Sequence, residues 1–116
     1  MQLEPGYLLM ITSREMGRGN PELGTLLVLK FFRALEAGPA VPESIIFLNG
    51  GVHLVLNDSP VLDVLQRLAE RGVEIRACGT CLNFYGVGER VAVGEIGTMD
   101  QAVAALARAS RPVVMG

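Results

Sequence analysis

The sequence has little that would suit a nucleic-acid-binding protein. Its 116 residues include no tryptophan and only 5% aromatic residues, so side chains on which bases could stack are scarce. The formal net charge is −2 and the pI is near 5.3, whereas proteins that bind nucleic acids usually carry a basic surface. We therefore expect no nucleic-acid partner.

Long hydrophobic runs are absent as well. The apolar segments are Tyr7–Ile11, Leu26–Leu29 and Ile45–Leu48, and each is far shorter than the roughly 18 residues that a membrane span needs. The first residues, Met-Gln-Leu-Glu-Pro-Gly, lack the basic start and apolar stretch of a secretory signal. These absences predict a soluble cytoplasmic protein with no membrane partner.

The length and the hydrophobic content predict one folded domain over residues 1–116. A chain of this length suits a single domain, and its 50% of hydrophobic residues argues against disorder. The mean hydropathy of +0.39 is high for a small chain with a large surface-to-volume ratio. We expect further copies of the chain to cover part of its apolar surface.

Apolar runs alternate with helix-start and helix-stop signals along the chain. Strands are predicted at Tyr7–Thr12, Ser44–Leu48, Val73–Ala77, Val91–Val93 and Pro112–Met115. Helices are predicted from Asn20-Pro21 to about Ala37, from a cap at Asp58 or Ser59 to Gly72, after Cys78 to Gly86, and from a Thr98–Gln101 capping box to about Ala109. This alternation predicts a three-layer α/β/α sandwich with a mostly parallel five-stranded sheet.

The first predicted helix is apolar around most of its circumference. Its apolar residues are Leu23, Leu26, Leu27, Val28, Leu29, Phe31, Phe32 and Leu35. A sheet covers only one side of a helix, so the remaining apolar side predicts a subunit interface. The alternative is a helix buried deeply within one chain.

The chain has two cysteines, Cys78 and Cys81, at the end of the third predicted strand. In a reducing compartment such a pair is more often catalytic or metal-binding than a disulfide staple. The start of the following helix favours the thiolate of Cys78, which is the reactive form, and Cys81 lies near enough to attack a bond formed on Cys78. The alternative is that one cysteine is a small core residue.

Three chemistries use such a pair. A dithiol redox site is one, although its usual motifs place bulkier residues or proline between the cysteines. A zinc site needs four ligands, and the two cysteines with His53 supply three, so a second chain or a water would complete it. A persulfide carrier needs one activated, accessible thiolate. We favour the persulfide and expect no bound metal.

The loops after the other strands offer supporting residues. Asn49, Gly50 and Gly51 end the second strand, where backbone N–H groups could approach a persulfide or an anion. A tight turn that needs positive φ explains the two glycines equally well.

Three charged or titratable residues are further candidates. His53 is the sole histidine and could assist Cys78, although a lone histidine is more often an ordinary surface residue. Arg14 and Arg18 could hold an anionic sulfur donor such as thiosulfate or a polysulfide, and solvated loop arginines are the alternative. The glycines beside them form no nucleotide fingerprint, so no cofactor is expected.

Three segments together resemble the DsrE/DsrF family of small sulfur-transfer proteins. They are Ile-Ile-Phe-Leu-Asn-Gly-Gly-Val-His-Leu from Ile45, Val-Glu-Ile-Arg-Ala-Cys-Gly-Thr-Cys-Leu-Asn-Phe-Tyr-Gly from Val73, and the stretch from Thr12 to Gly24. The last of these is similar to the YedF branch of the family, which is linked to selenium metabolism.

The resemblance implies a parallel five-stranded α/β/α fold, assembly into trimers or hexamers, and a sulfur-carrying cysteine after the third strand. Cys78 matches that position, and Cys81 matches the second cysteine of the YedF-type motif. YedF-type proteins often carry an additional N-terminal sulfur-carrier domain, so a separate sulfur-carrier protein is expected as the donor or acceptor.

The function predicted from all of this is sulfur transfer through a persulfide on Cys78, linked to selenium metabolism. Two alternatives stay open. One is a non-catalytic oligomeric partner of a sulfur-carrier protein, and the other is a metal-binding protein whose site lies between subunits.

Overall fold

The computed structural model describes residues 7–116. Its strands are β1 (Tyr7–Ile11), β2 (Ser44–Phe47), β3 (Glu74–Cys78), β4 (Glu95–Gly97) and β5 (Arg111–Met115). Its α-helices are α1 (Pro21–Ala37), α2 (Leu62–Glu70), α3 (Gly79–Tyr85) and α4 (Met99–Arg108). Two 3₁₀ helices complete the order: Asn49–Val55, called the 3₁₀ segment below, follows β2, and the short Gly88–Arg90 follows α3.

All five strands are parallel, in the order β4-β3-β2-β1-β5. The chain steps in one direction from β1 to β4, and right-handed crossovers place the intervening helices on one face. The return from β4 to β5 places α4 on the opposite face. The buried residues show the same division of the helices between the two faces, because α1, α2 and α3 share one buried cluster while α4 packs on a second, smaller one. The predicted three-layer sandwich is therefore confirmed.

Most helix boundaries follow the local signals in the sequence. The Asn20 side chain accepts a hydrogen bond from the Leu23 N–H at 3.0 Å, and the Thr98–Gln101 capping box forms in full. Gly72 takes the expected left-handed conformation with φ +94°. The second helix starts later than predicted, because Ser59 accepts from the Val61 N–H at 3.1 Å in a turn that precedes α2.

The predicted fourth strand at Val91–Val93 is wrong, because β4 begins at Glu95. Val91 forms an isolated antiparallel bridge with Leu56, and of the other two residues Val93 is buried and Ala92 is exposed, so this apolar run packs outside the sheet. Gly94 then turns the chain with φ +76° and packs so closely on Ile75 that a Cβ would lie 2.6 Å from the Ile75 carbonyl oxygen. Only after this turn does the chain pair with β3.

The longest helix, α1, leaves much of its apolar surface open. It buries Gly24, Val28 and Phe32, while Leu23, Leu26 and Leu27 are 54%, 46% and 38% exposed. The alternative of deep burial within one chain is therefore wrong for these three leucines. Among residues 7–116, neither α1 nor any other helix is long and apolar enough to cross a membrane.

Candidate functional site

The site begins where β3 meets α3. β3 ends at Cys78 and α3 begins at the next residue, which is the strand-to-helix placement expected from the sequence. Gly79 permits a close approach to β4, since a Cβ there would lie 3.1 Å from Ile96 Cγ2. Both cysteines are free thiols. Cys78 is buried, with 6% of its surface exposed, while Cys81 is half-buried.

The two cysteines contact each other. The Cys81 N–H donates to Cys78 Sγ at 3.4 Å. Because α3 has only seven residues, its dipole is a small effect. The defined polar contact of the Cys78 sulfur is therefore this backbone N–H.

A third residue, Asn49, holds the sulfur of Cys81. Its backbone N–H donates to Cys81 Sγ at 3.1 Å. Asn49 takes the left-handed conformation with φ +48°, which asparagine tolerates better than most residues. Its side-chain oxygen accepts a hydrogen bond of 2.6 Å from the Tyr85 hydroxyl. The sequence interpretation missed Tyr85, although its i, i+4 spacing from Cys81 on α3 places both on one helix face.

The two glycines beside Asn49 do not serve the same purpose. Neither Gly50 nor Gly51 has positive φ, so the left-handed position in this turn belongs to Asn49. Gly51 is required for a close approach instead, because a Cβ would lie 2.2 Å from the carbonyl oxygen of Ile11. This contact seats the 3₁₀ segment against the end of β1.

His53 lies in the 3₁₀ segment and packs beside the contact between Asn49 and Tyr85. Its Nδ1 lies 3.0 Å from the Gly50 carbonyl oxygen, which can only accept, so Nδ1 carries the proton and Nε2 is left for another partner. Its ring packs edge-on against Tyr85 with centroids 4.7 Å apart. Within the described chain no hydrogen bond joins His53 to either cysteine, so direct assistance to Cys78 has no support in this geometry.

His53 also lines a polar cleft of about 460 Å³. Arg14, His53 and Arg90 all line it, and Arg90 pairs with Asp58 at 2.7 Å. Its volume suits a small ligand. The predicted site residues therefore separate into two groups: Asn49 lies with the cysteine pair, whereas Arg14 and His53 line the cleft. Arg18 is exposed and is not among the residues that line this cleft.

The electrostatics of the pair favour a protonated Cys81. Burial raises the pKa of the Cys81 thiol, and the neighbouring Cys78 raises it further by accepting its hydrogen bond and by its charge. The N–H of Asn49 acts in the opposite direction, because it stabilises the thiolate. Cys81 is therefore mainly a protonated thiol at neutral pH.

The zinc ligand set considered from the sequence does not assemble within one chain. His53 is turned toward Gly50 and Tyr85, and residues 7–116 contain no cluster of three histidine, cysteine or carboxylate side chains suited to a metal ion. A site between subunits stays a prediction.

No protein-family model and no curated protein sequence matches this chain. Several solved structures share its fold. The ychN protein from E. coli superposes with a TM-score of 0.69 and 14% identity, over 93% of this chain and 97% of that one. MTH1491 from Methanobacterium thermoautotrophicum, a protein of unknown function, superposes with a TM-score of 0.67 and 19% identity, over 93% and 96%. Both have the DsrE-like fold, and this chain has it too.

Proposed function

We propose that this protein carries sulfane sulfur as a persulfide on Cys78 and passes it to an acceptor thiol. The observation that supports this most directly is the pair of free thiols at the carboxyl end of β3, with the Cys81 N–H donating to Cys78 Sγ. The DsrE-like fold and the resemblance of three sequence segments to sulfur-transfer proteins point the same way.

The transfer consists of two displacements at sulfur. The Cys78 thiolate attacks the outer sulfur of a donor, the donor's S–S bond breaks, and its inner sulfur leaves with the electron pair. An acceptor thiolate then attacks the outer sulfur of the persulfide, and Cys78 leaves as a thiolate. The sulfur atom moves without net oxidation of the protein.

The surroundings of Cys78 suit a sheltered sulfur atom. Cys78 borders a cavity of about 10 Å³, with Arg76, Gly97 and Thr98 among its lining residues, which is roughly the room that one water molecule needs. The half-buried guanidinium of Arg76 favours the anionic form of a persulfide placed there. Because Cys78 itself is buried, a donor approaches it past the more exposed Cys81.

The partners and the donor belong to the same proposal. A sulfur-carrier protein would deliver or collect the sulfur, and the cleft with Arg14 and His53 would hold an anionic donor or the terminal segment of such a protein. The link to selenium rests on the YedF-like stretch, and a perselenide on Cys78 would form by the same displacement.

The first test is intact-protein mass spectrometry after exposure of the reduced protein to inorganic polysulfide. We expect the Cys81→Ser variant to gain one sulfur atom that a thiol reductant removes, and the Cys78→Ser variant to gain none. A sulfur adduct on Cys78→Ser alone would move the carrier role to Cys81. If no folded variant gains sulfur, the non-catalytic partner or the intersubunit metal site replaces this proposal.

Self-association is a separate proposal that rests on the exposed leucines of α1. We expect sedimentation velocity to show an oligomer at micromolar concentration. Burying these leucines between subunits would stabilise the oligomer by about 25 cal/mol for each Å² of apolar surface removed from water. Placing lysine at both Leu23 and Leu26 should shift the protein toward monomer, while Gln66→Lys on the exposed side of α2 should not. A wild-type monomer at these concentrations would contradict the interface.

A further inference from the structure

We propose that Cys81 can discharge the Cys78 persulfide as hydrosulfide, leaving a Cys78–Cys81 disulfide. This rests on the proposed persulfide and adds an activity to it. The Cys81 thiolate attacks Cys78 Sγ, the bond to the outer sulfur breaks, and that sulfur leaves with the electron pair as hydrosulfide. The two cysteines are oxidised and the sulfane sulfur is reduced. An external dithiol then restores both thiols by thiol–disulfide exchange.

The distances around the pair make this attack local. The backbone nitrogen of Cys81 is 3.4 Å from Cys78 Sγ. Residues three apart on a helix have Cβ atoms roughly 5–6 Å apart, and a disulfide needs them at roughly 3.5–4.5 Å. Closing the bond therefore asks for side-chain rotation and a small local movement where β3 meets α3, and not for a rearrangement of the sheet.

Asn49 and Tyr85 hold the attacking sulfur in place. The Asn49 N–H at 3.1 Å from Cys81 Sγ stabilises the thiolate that must form. Tyr85 fixes Asn49 from α3 through its hydroxyl, and His53 packs against the ring of Tyr85. Tyr85 is thus a positioning residue, since its hydroxyl donates to Asn49 and acts on Cys81 through that residue.

The protonation of Cys81 sets the rate. The groups that face it are Cys78 from the end of β3, the Asn49 amide from the 3₁₀ segment, and Tyr85 one turn along α3. A raised pKa keeps the thiol mainly protonated at neutral pH, so the thiolate that attacks is the minor form there. Below that pKa the thiolate fraction, and with it the discharge rate, rises about tenfold for each pH unit.

The experiment compares wild type with Cys81→Ser after loading with stoichiometric inorganic polysulfide under anaerobic conditions. Intact mass and released hydrosulfide are followed at several pH values. Wild type should release one hydrosulfide per chain more than Cys81→Ser releases during loading, and should end two hydrogen atoms lighter than the reduced protein, faster at higher pH. Cys81→Ser should keep its extra sulfur. Wild type that is never exposed to donor should keep its reduced mass.

The outcomes separate the two proposals. If both proteins load and wild type keeps its extra sulfur as long as Cys81→Ser does, discharge is overturned and the carrier role stands. If Cys81→Ser never loads, the carrier role itself fails. Tyr85→Phe should slow discharge several-fold and move its pH profile upward, and Tyr7→Phe serves as the matched control. Equal discharge by the two tyrosine variants would remove the positioning role of Tyr85.

Discussion

Replacing Gly51 with alanine is expected to destabilise the protein by about 3 kcal/mol, the upper part of the usual range for overpacking. The new Cβ would lie 2.2 Å from the carbonyl oxygen of Ile11 and 3.0 Å from its carbonyl carbon. Both are backbone atoms, and the same oxygen accepts the Leu48 N–H at 2.9 Å. Neither side can yield by rotating a side chain, so the 3₁₀ segment must shift away from β1.

The matched control for this variant is the neighbouring glycine. A Cβ at Gly50 would have its nearest contacts at 3.9 Å, with Arg14 N and Ser13 Cα, so Gly50→Ala should change the free energy of unfolding by less than about 0.5 kcal/mol. Urea denaturation of both variants measures the difference. Equal stability of the two would contradict the close approach between Gly51 and β1.

Truncating Phe47 to alanine is expected to cost about 3–5 kcal/mol of unfolding free energy. Phe47 is fully buried at the end of β2, and its ring stacks on Phe32 with centroids 6.4 Å apart. Removing it leaves a cavity between the sheet and α1, directly beneath the turn at Asn49. The loss should appear as a lower urea midpoint.

Phe84 provides the comparison for this loss of an aromatic ring. It lies on α3 with 85% of its surface exposed, so Phe84→Ala should change the free energy of unfolding by less than about 0.5 kcal/mol. Similar losses of unfolding free energy in the two variants would contradict the conclusion that Phe47 stabilises the fold through its burial. Both variants keep Cys78 and Cys81, so sulfur loading can be measured on whatever fraction remains folded.

Much of the fold could be predicted because its signals are local. The cap at Asn20, the capping box at Thr98 and the helix stop at Gly72 each depend on atoms within a few residues of one another. The alternation of apolar and charged residues in β3 also predicted its buried face correctly, since Ile75 and Ala77 are buried while Glu74 is exposed. Such patterns can be interpreted from a short segment without the rest of the chain.

The fourth strand could not be found in this way. β4 is a three-residue edge strand whose first two residues, Glu95 and Ile96, are exposed, so it carries no alternating pattern. The more apolar Val91–Val93 run led to the prediction, but it lies outside the sheet, with Val91 bridged to Leu56 and the turn at Gly94 after it. Hydrophobicity indicates burial, and the partner that buries a residue is decided by packing.

The place of the two cysteines could be predicted from the sequence, because their spacing and the strand before them are properties of one short segment. What surrounds the cysteines depends on tertiary packing. Asn49 reaches Cys81 across 32 residues and Tyr85 reaches Asn49 across 36, whereas His53 and Arg14 face a separate cleft. The physical reason is that these contacts form only when β1, β2 and β3 lie parallel and bring their carboxyl ends to one edge of the sheet.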